Sequence, residues 1–469
     1  MSTAPASAPA HDLLGNALAG AALEVVAAID DFVAGFLGYE TRIERVLPAA
    51  DAHPNEILLN VYAGFVWLFL ESPAGPTQAQ RYLEAAARVQ ASAGSREQLH
   101  VELLRAWIAD DIPGALRLAD AITDDHPRDL AIVKLQQYLE FNRGNSPQML
   151  RAILKVLDAN REVAWAQGLA AFAYEQCHLL AEAEQAARRA IALKRKEPWA
   201  QHALAHVLLT QGRIREGTAF LESVRDTWVD LTSFMLTHNW WHLAVFHLAR
   251  GRLRDVLAIY DQHVWGVAKS YSQDQVGAVQ LLARIELDGH DVGPRWQDVA
   301  AHIAARGADT EQPFLSLLYL YGLGRAGRPE ADVLLAAIER RADEAPEHSR
   351  AVWHDVTVPA ARGVLAHARG DFEGAWRGLT AALPGLVGIG GSHAQRDLFN
   401  QLQLSAARRS GRLVAVQQDL ELRRNVDPEN VPVNLALADV YAALDLPGLA
   451  TQARERAHAA LVPATACEG

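Results

Sequence analysis

Apolar and small residues recur along the chain at the three- and four-residue spacing of helix faces. No long stretch shows the strict alternation of a half-buried strand. A longer period overlies the helical one. Trp165-Ala166-Gln167 returns as Trp199-Ala200-Gln201, 34 residues later, the length of one helix–turn–helix repeat unit. Four further windows carry the same arrangement of small residues where paired helices touch and large ones where they must fill a seam. They are Ala115, Ala119 and Pro127; Trp240, Leu243, Ala244, Gly251, Leu253 and Tyr260; Gly363, Gly370, Phe372, Ala375 and Ala382; and Leu437, Ala438, Tyr441, Ala450 and Ala457. Gly212, Gly251, Gly370 and Gly411 each precede Arg or Asp and fall at the expected turn inside a hairpin.

These windows predict an all-α, tetratricopeptide-like helical-hairpin solenoid, a right-handed superhelix with a concave groove. Residues 1–14, which include a segment rich in Ala, Ser and Pro, read as a flexible N-terminal tail, 15–460 as a single solenoid, and 461–469 as a flexible C-terminal tail. Ser95 with Gln98 reads as a capping box opening a helix. Gly289–Glu311, with Pro294, reads as a longer connection, and the glycine-rich segment Leu383–Ser392 reads as a loop.

Composition narrows the class. Lys and Arg number 44 against 56 Asp and Glu, a net charge of −12 with no basic run, so nucleic acid is a poor partner. Ile57–Leu70 is the most apolar segment but is too short to span a bilayer and is interrupted by Asn60, so it reads as a buried helix and no membrane partner is expected. The N-terminus shows no charged region before an apolar stretch, and the two cysteines, Cys177 and Cys467, form no disulfide framework. A reducing cytoplasm fits this pattern.

The histidines bring in candidate chemistry. With Gly212 and Gly251 setting the register, His202 and His206 fall four residues apart on one helix face. Glu175 on the preceding repeat, and His238, Trp241 and His242 on the following one, converge on the same concave wall. Glu175, His202, His206, His238 and His242 are therefore the candidate catalytic set. An imidazole pair at this spacing chelates a metal when a third ligand is near, or moves protons near neutral pH; it equally serves as a satisfied packing pair. No His-Glu-x-x-His signature decides for metal, and the cofactor stays open. Glu175 suits a base or an orienting partner. Trp241, Asp274, His393, Arg396 and Asp397 are candidate ligand-binding residues, Arg396 for a carboxylate or phosphate, with Arg396 and Asp397 alternatively a structural ion pair. No phosphate-cradling glycine loop, dinucleotide fingerprint or paired-cysteine zinc spacing is present.

Five stretches carry a family resemblance: Arg96-Glu97-Gln98-Leu99-His100, His202-Ala203-Leu204-Ala205-His206, His238-Asn239-Trp240-Trp241-His242, Arg295-Trp296-Gln297-Asp298, and Gly390-Gly391-Ser392-His393-Ala394-Gln395-Arg396-Asp397. Over roughly 96–400 the chain resembles the tetratricopeptide repeat protein 38 family. The resemblance implies a helical-repeat fold and no securely general activity. Where that family shows Asn-Asp-Ala-His, this chain has Phe314-Leu315-Ser316-Leu317-Leu318.

Two functions follow as expectations. One is a compact polar site in the groove that binds a small molecule and supports acid–base or metal-assisted chemistry. The other is a non-catalytic scaffold that holds a peptide or partner helix. Peptide-gripping grooves of this type favour Lys, Arg and Asn, whereas His, Glu and Trp dominate here, which favours the small ligand.

Overall fold

The computed structural model describes residues 10–18 and 21–461. They form a succession of antiparallel helix pairs, among them Leu130–Asn142 with Ser146–Leu157, Ala164–Gln176 with Leu180–Leu193, Pro198–Thr210 with Ile214–Val224, and Ser233–Ala249 with Leu253–Ile259. The first helix of each pair also packs on the first helix of the next, so the chain is an all-α helical-repeat solenoid. Gly212, Gly251, Gly370 and Gly411 all adopt positive φ at the hairpin turns. No helix among the described residues is long and apolar enough to cross a membrane.

The two helices of a pair are chemically unlike, and this decides where the site lies. Pro198–Thr210 buries nearly every position, including Gln201, His202 and His206. Its partner Ile214–Val224 buries only one face, through Ile214, Gly217, Leu221 and Val224. A helix buried all round lies inside a core. The concave side is accordingly not the open groove expected from the repeat pattern. Leu23–Gly38 packs against Leu130–Asn142, and His393–Arg409 packs against Ser272–Leu287, so that side carries a core. Glu71 ties distant turns together by accepting hydrogen bonds from Tyr138 (2.8 Å), Gln312 (3.1 Å) and Ser272 (3.3 Å). One apolar core runs from Leu14 to Leu402, and a smaller one lies under the last helices around Ala407, Val416, Leu437 and Tyr441.

Several local expectations change. Residues 10–14 belong to a small hairpin, Ala10–His11 against Ala17–Leu18, with Leu14 buried; the rest of that tail, 1–9, lies outside the described residues, as does 462–469. Ser95 is the first residue of its helix and Gly94 is the cap, with no side-chain capping bond. The capping box occurs instead at Ser392 and Gln395, where each side chain bonds the other's backbone N–H. Leu383–Ile389 is a 3₁₀ helix, and Arg295–Ala304 is a helix within the stretch read as a connection.

Gly212 is also a point of close approach between turns. Its φ is +68°, and a Cβ there would lie 2.0 Å from the carbonyl oxygen of Val426. Gly212→Ala is expected to lower stability by at least about 1 kcal/mol, because backbone strain and displacement of the Val426 segment add. A urea titration measures it, and an unchanged midpoint would refute the contact.

Candidate functional site

Three consecutive first helices, Ala164–Gln176, Pro198–Thr210 and Ser233–Ala249, supply the central cluster. Small residues on their facing sides (Ala170, Ala171, Ala203, Ala205, Ala244) are fully buried and let the backbones approach. His202 and His206 then sit one turn apart on one helix, and His238 and His242 one turn apart on the next. The four imidazoles point Nε2 at one another: 3.0 Å from His206 to His202, 3.1 Å from His202 to His238, and 3.3 Å from His238 to His242. All four are buried, and one ligand atom from each lies within 4.8 Å of the others.

Hydrogen bonding alone does not explain this geometry. Each Nε2 carries either one proton or one lone pair, so four meeting at one place leave at best a strained, bifurcated network. The Nδ1 atoms of His202, His206 and His242 make no hydrogen bond within the protein, that of His206 facing Glu175 at 3.5 Å. Neighbouring donors at about 2.0–2.1 Å from a zinc-like ion would be separated by about 2.8–3.4 Å in square or tetrahedral arrangement. The three closest contacts fall in that range. Burial, with the neighbouring His206, holds His238 at about 3 and His242 well below the ordinary imidazole value, and His202 shifts the same way. Burial thus favours the neutral form of His202, His238 and His242, the form that ligates metal.

Behind His206 lies a carboxylate. Glu175 Oε1 is 3.5 Å from His206 Nδ1 and also contacts His393 Nε2, so Glu175, His206 and His393 form a second group of ligand type that shares His206. Burial pushes the Glu175 carboxyl up, but His206 and His393 outweigh it and hold it well below the usual range. His393 is the first residue of its helix, placed by the Ser392 capping box and by two arginines. Arg396 donates to the Gly390 and Gly391 carbonyls, and Arg284 donates to Ala394 O at 2.8 Å.

On the opposite side His202 and His238 form part of the wall of a cavity of about 510 Å³. Aromatic side chains make up a large part of its other walls, among them Phe36, Tyr39, Phe172, Trp199, Phe234 and Phe314. Trp199 stacks on His202 with centroids 4.6 Å apart, and Phe234 stacks on His238 at 5.2 Å. Phe314 belongs to the stretch that departs from the resembled family pattern. A Cβ on Gly391 would lie 2.7 Å from its ring, so glycine leaves room for this wall.

The expected site therefore divides. Glu175, His202, His206, His238 and His242 come together. His393 joins through Glu175, not through the cavity. Trp241 is not a ligand-facing platform: it is buried behind His238, parallel to it at 5.4 Å, with Arg284 over its ring at 5.1 Å. Asp274 does not line the cavity; it accepts bonds from Thr237 (3.0 Å) and from the backbone N–H of Ala268 (3.1 Å), a residue that does. Burial raises the Asp274 carboxyl to about 6. Arg396 is occupied by the glycine carbonyls. Asp397 pairs with Arg423 at 3.0 Å rather than with Arg396. Sequence reading missed the cavity, because its aromatic walls come from helices far apart in the chain. It also missed Lys134, whose place in an apolar helix was the available signal.

Arg96 and His100, in the first resemblance stretch, have a structural role. Both hold Asp129, Arg96 Nη2 at 2.7 Å and His100 Nε2 at 3.2 Å, at the cap of the helix Leu130–Asn142.

No family model matches the chain. Solved helical-repeat structures align along much of it. The human IFIT1 dimer with PPP-AAAA is 12% identical over 92% of this chain and 95% of its own, with a TM-score of 0.42. The yeast Tom70 structure is 11% identical over 79% of this chain and 92% of its own, with a TM-score of 0.27. The fold assignment rests on the chain's own helices.

Proposed function

We propose that this protein holds a first-row transition metal ion on His202, His206, His238 and His242, and presents it to an apolar small molecule in the adjoining aromatic cavity for metal-assisted chemistry. The convergence of four buried Nε2 atoms at 3.0–3.3 Å spacing carries this reading. An all-imidazole donor set suits Zn, Cu, Fe or Ni. Glu175 orients His206 through Nδ1, as carboxylates do for metal-bound histidines, and His393 holds Glu175 in turn. His202 and His238 both ligate the ion and form the cavity wall, which brings a bound molecule to the metal. The finer resemblance to the tetratricopeptide repeat protein 38 family belongs to this proposal, since its histidine stretches supply all four ligands.

Metal analysis of the purified and reconstituted protein tests it. About one ion per chain is expected, and a cobalt-loaded sample should show ligand-field bands that shift when the cavity fills. Protein that stays metal-free after incubation with each of the four ions would overturn the reading. Glu175→Gln should weaken metal binding roughly 10- to 100-fold without removing it, which a chelator competition measures. Unchanged affinity would remove Glu175 from the site.

The scaffold reading draws on a different surface. Val414 and Leu422 on the C-terminal helices are more than 60% exposed, and Val426 is also exposed, a face that suits a partner helix. Leu422→Glu would disrupt such docking and leave metal content unchanged.

A further inference from the structure

Lys134 is a basic side chain in a largely apolar wall. It lies on the helix Leu130–Asn142, is 6% exposed, and is the only Lys or Arg among the residues that line the 510 Å³ cavity. Its Nζ donates to the Phe36 carbonyl near the C-terminus of the helix Leu23–Gly38 and sits 3.2 Å from the centre of the Tyr39 ring. No carboxylate among the described residues pairs with it. Burial drives the Lys134 ammonium well below the ordinary lysine value, with Glu197 opposing only in part, and Glu197 is itself committed as a helix cap, accepting from Ala200 N at 2.6 Å. The Glu71 carboxylate in the cavity wall is likewise occupied, by Tyr138, Ser272, Gln273 and Gln312. A buried ammonium without an anion is disfavoured, and a single carbonyl with two aromatic faces leaves the Lys134 head group short of the anion that would hold it charged.

We infer that the missing anion comes with the ligand: the cavity binds an apolar or aromatic carboxylic acid whose carboxylate pairs with Lys134 and whose body lies among the aromatic side chains toward His202 and His238. The cavity volume is that of a small-molecule site. Its wall is apolar enough to take a hydrocarbon body, and Lys134 supplies the one polar anchor of the right sign. A charge-assisted bond in a dry cavity fixes which end of the molecule faces away from the histidines. The identity of the ligand rests on the cavity reading above, but the pairing with Lys134 does not require the metal.

Three probes of equal chain length separate the possibilities: dodecanoate, dodecanol and dodecyltrimethylammonium, titrated into the full protein below their critical micelle concentrations and followed by tryptophan fluorescence, since Trp199 forms part of the wall. Dodecanoate should bind roughly 10- to 100-fold more tightly than dodecanol, as expected for a hydrogen bond to a charged group, and the ammonium probe more weakly than either. Lys134→Met should bring the carboxylate and alcohol within about threefold of each other, while Lys134→Arg keeps the preference. The series is repeated on metal-free protein. A carboxylate preference that persists there and disappears in Lys134→Met supports the pairing. A preference that vanishes with the metal puts the anion on the ion, overturning this inference while leaving the metal site intact. Equal binding of acid and alcohol by the wild type overturns it whether or not the variants fold.

Discussion

Replacing His202 and His206 together by glutamine is expected to abolish metal binding while leaving the helices folded. The two residues supply half of the four Nε2 donors, and loss of even an outer partner of a ligand costs roughly 10- to 100-fold. The double variant should lose at least about a thousandfold in affinity on the same scale. Stability separates a ligand role from a packing role. Near-isosteric core exchanges cost under about 1.5 kcal/mol, and three Nδ1 atoms of the cluster make no hydrogen bond within the protein, so the variant should melt close to the metal-free wild type. Adding metal at a thousand times its dissociation constant stabilises a site by about 4 kcal/mol. The wild-type melting temperature should therefore rise with added ion and that of the variant should not. Circular dichroism melting with and without zinc or cobalt, paired with metal analysis, reads both effects. A wild type with no metal-dependent rise, or a variant that retains stoichiometric metal, would defeat the site.

The second large effect belongs to Asp129. Its carboxylate is buried with Arg96 and His100, and all three are almost inaccessible. Removing the carboxylate leaves the buried Arg96 guanidinium charged without its partner in a low dielectric, which costs about 3–5 kcal/mol. Asp129→Asn should lose that much stability in urea, and a loss under about 1 kcal/mol would mean that the group is effectively solvated. The pH dependence follows from the same contacts. Burial raises the Asp129 carboxyl, but Arg96 and His100 more than reverse it, so the folded value lies well below the ordinary one. A depressed folded value means the stabilisation is present above the unfolded carboxylate range, near about pH 4, and is lost as the pH falls below it. Wild-type stability should drop on acidification past that point, and the variant should show a shallower drop. The change should also reach the cavity, since Asp129 caps the helix that carries Lys134 one turn later.

The folding rules in these residues are local, and that made them legible in the sequence. The 34-residue recurrence at Trp165 and Trp199 and the glycines at the hairpin turns depend on contacts between neighbours in the chain. A repeat solenoid is built almost wholly from such contacts. Convergence of Glu175, His202, His206, His238 and His242 was readable for the same reason. The residues lie on the inward faces of the first helices of three adjacent repeats, so fixing the repeat register placed them on one wall.

Tertiary structure alone decided the rest. Repeat register says which face of a helix looks inward but not what fills the inside. Here Leu23–Gly38 packs on Leu130–Asn142 and His393–Arg409 on Ser272–Leu287, so the inner side carries a core with a partly open cavity rich in aromatic side chains. The same packing moved Trp241 and Asp397 out of ligand-facing roles, into contact with Arg284 and Arg423. It also placed His393 against Glu175, 218 residues away in the chain, and left Lys134 without a carboxylate. These pairings are set by how many turns the solenoid makes before it meets its own ends. That sum of small rotations is written in no single repeat, whereas the hairpin itself is written in every one.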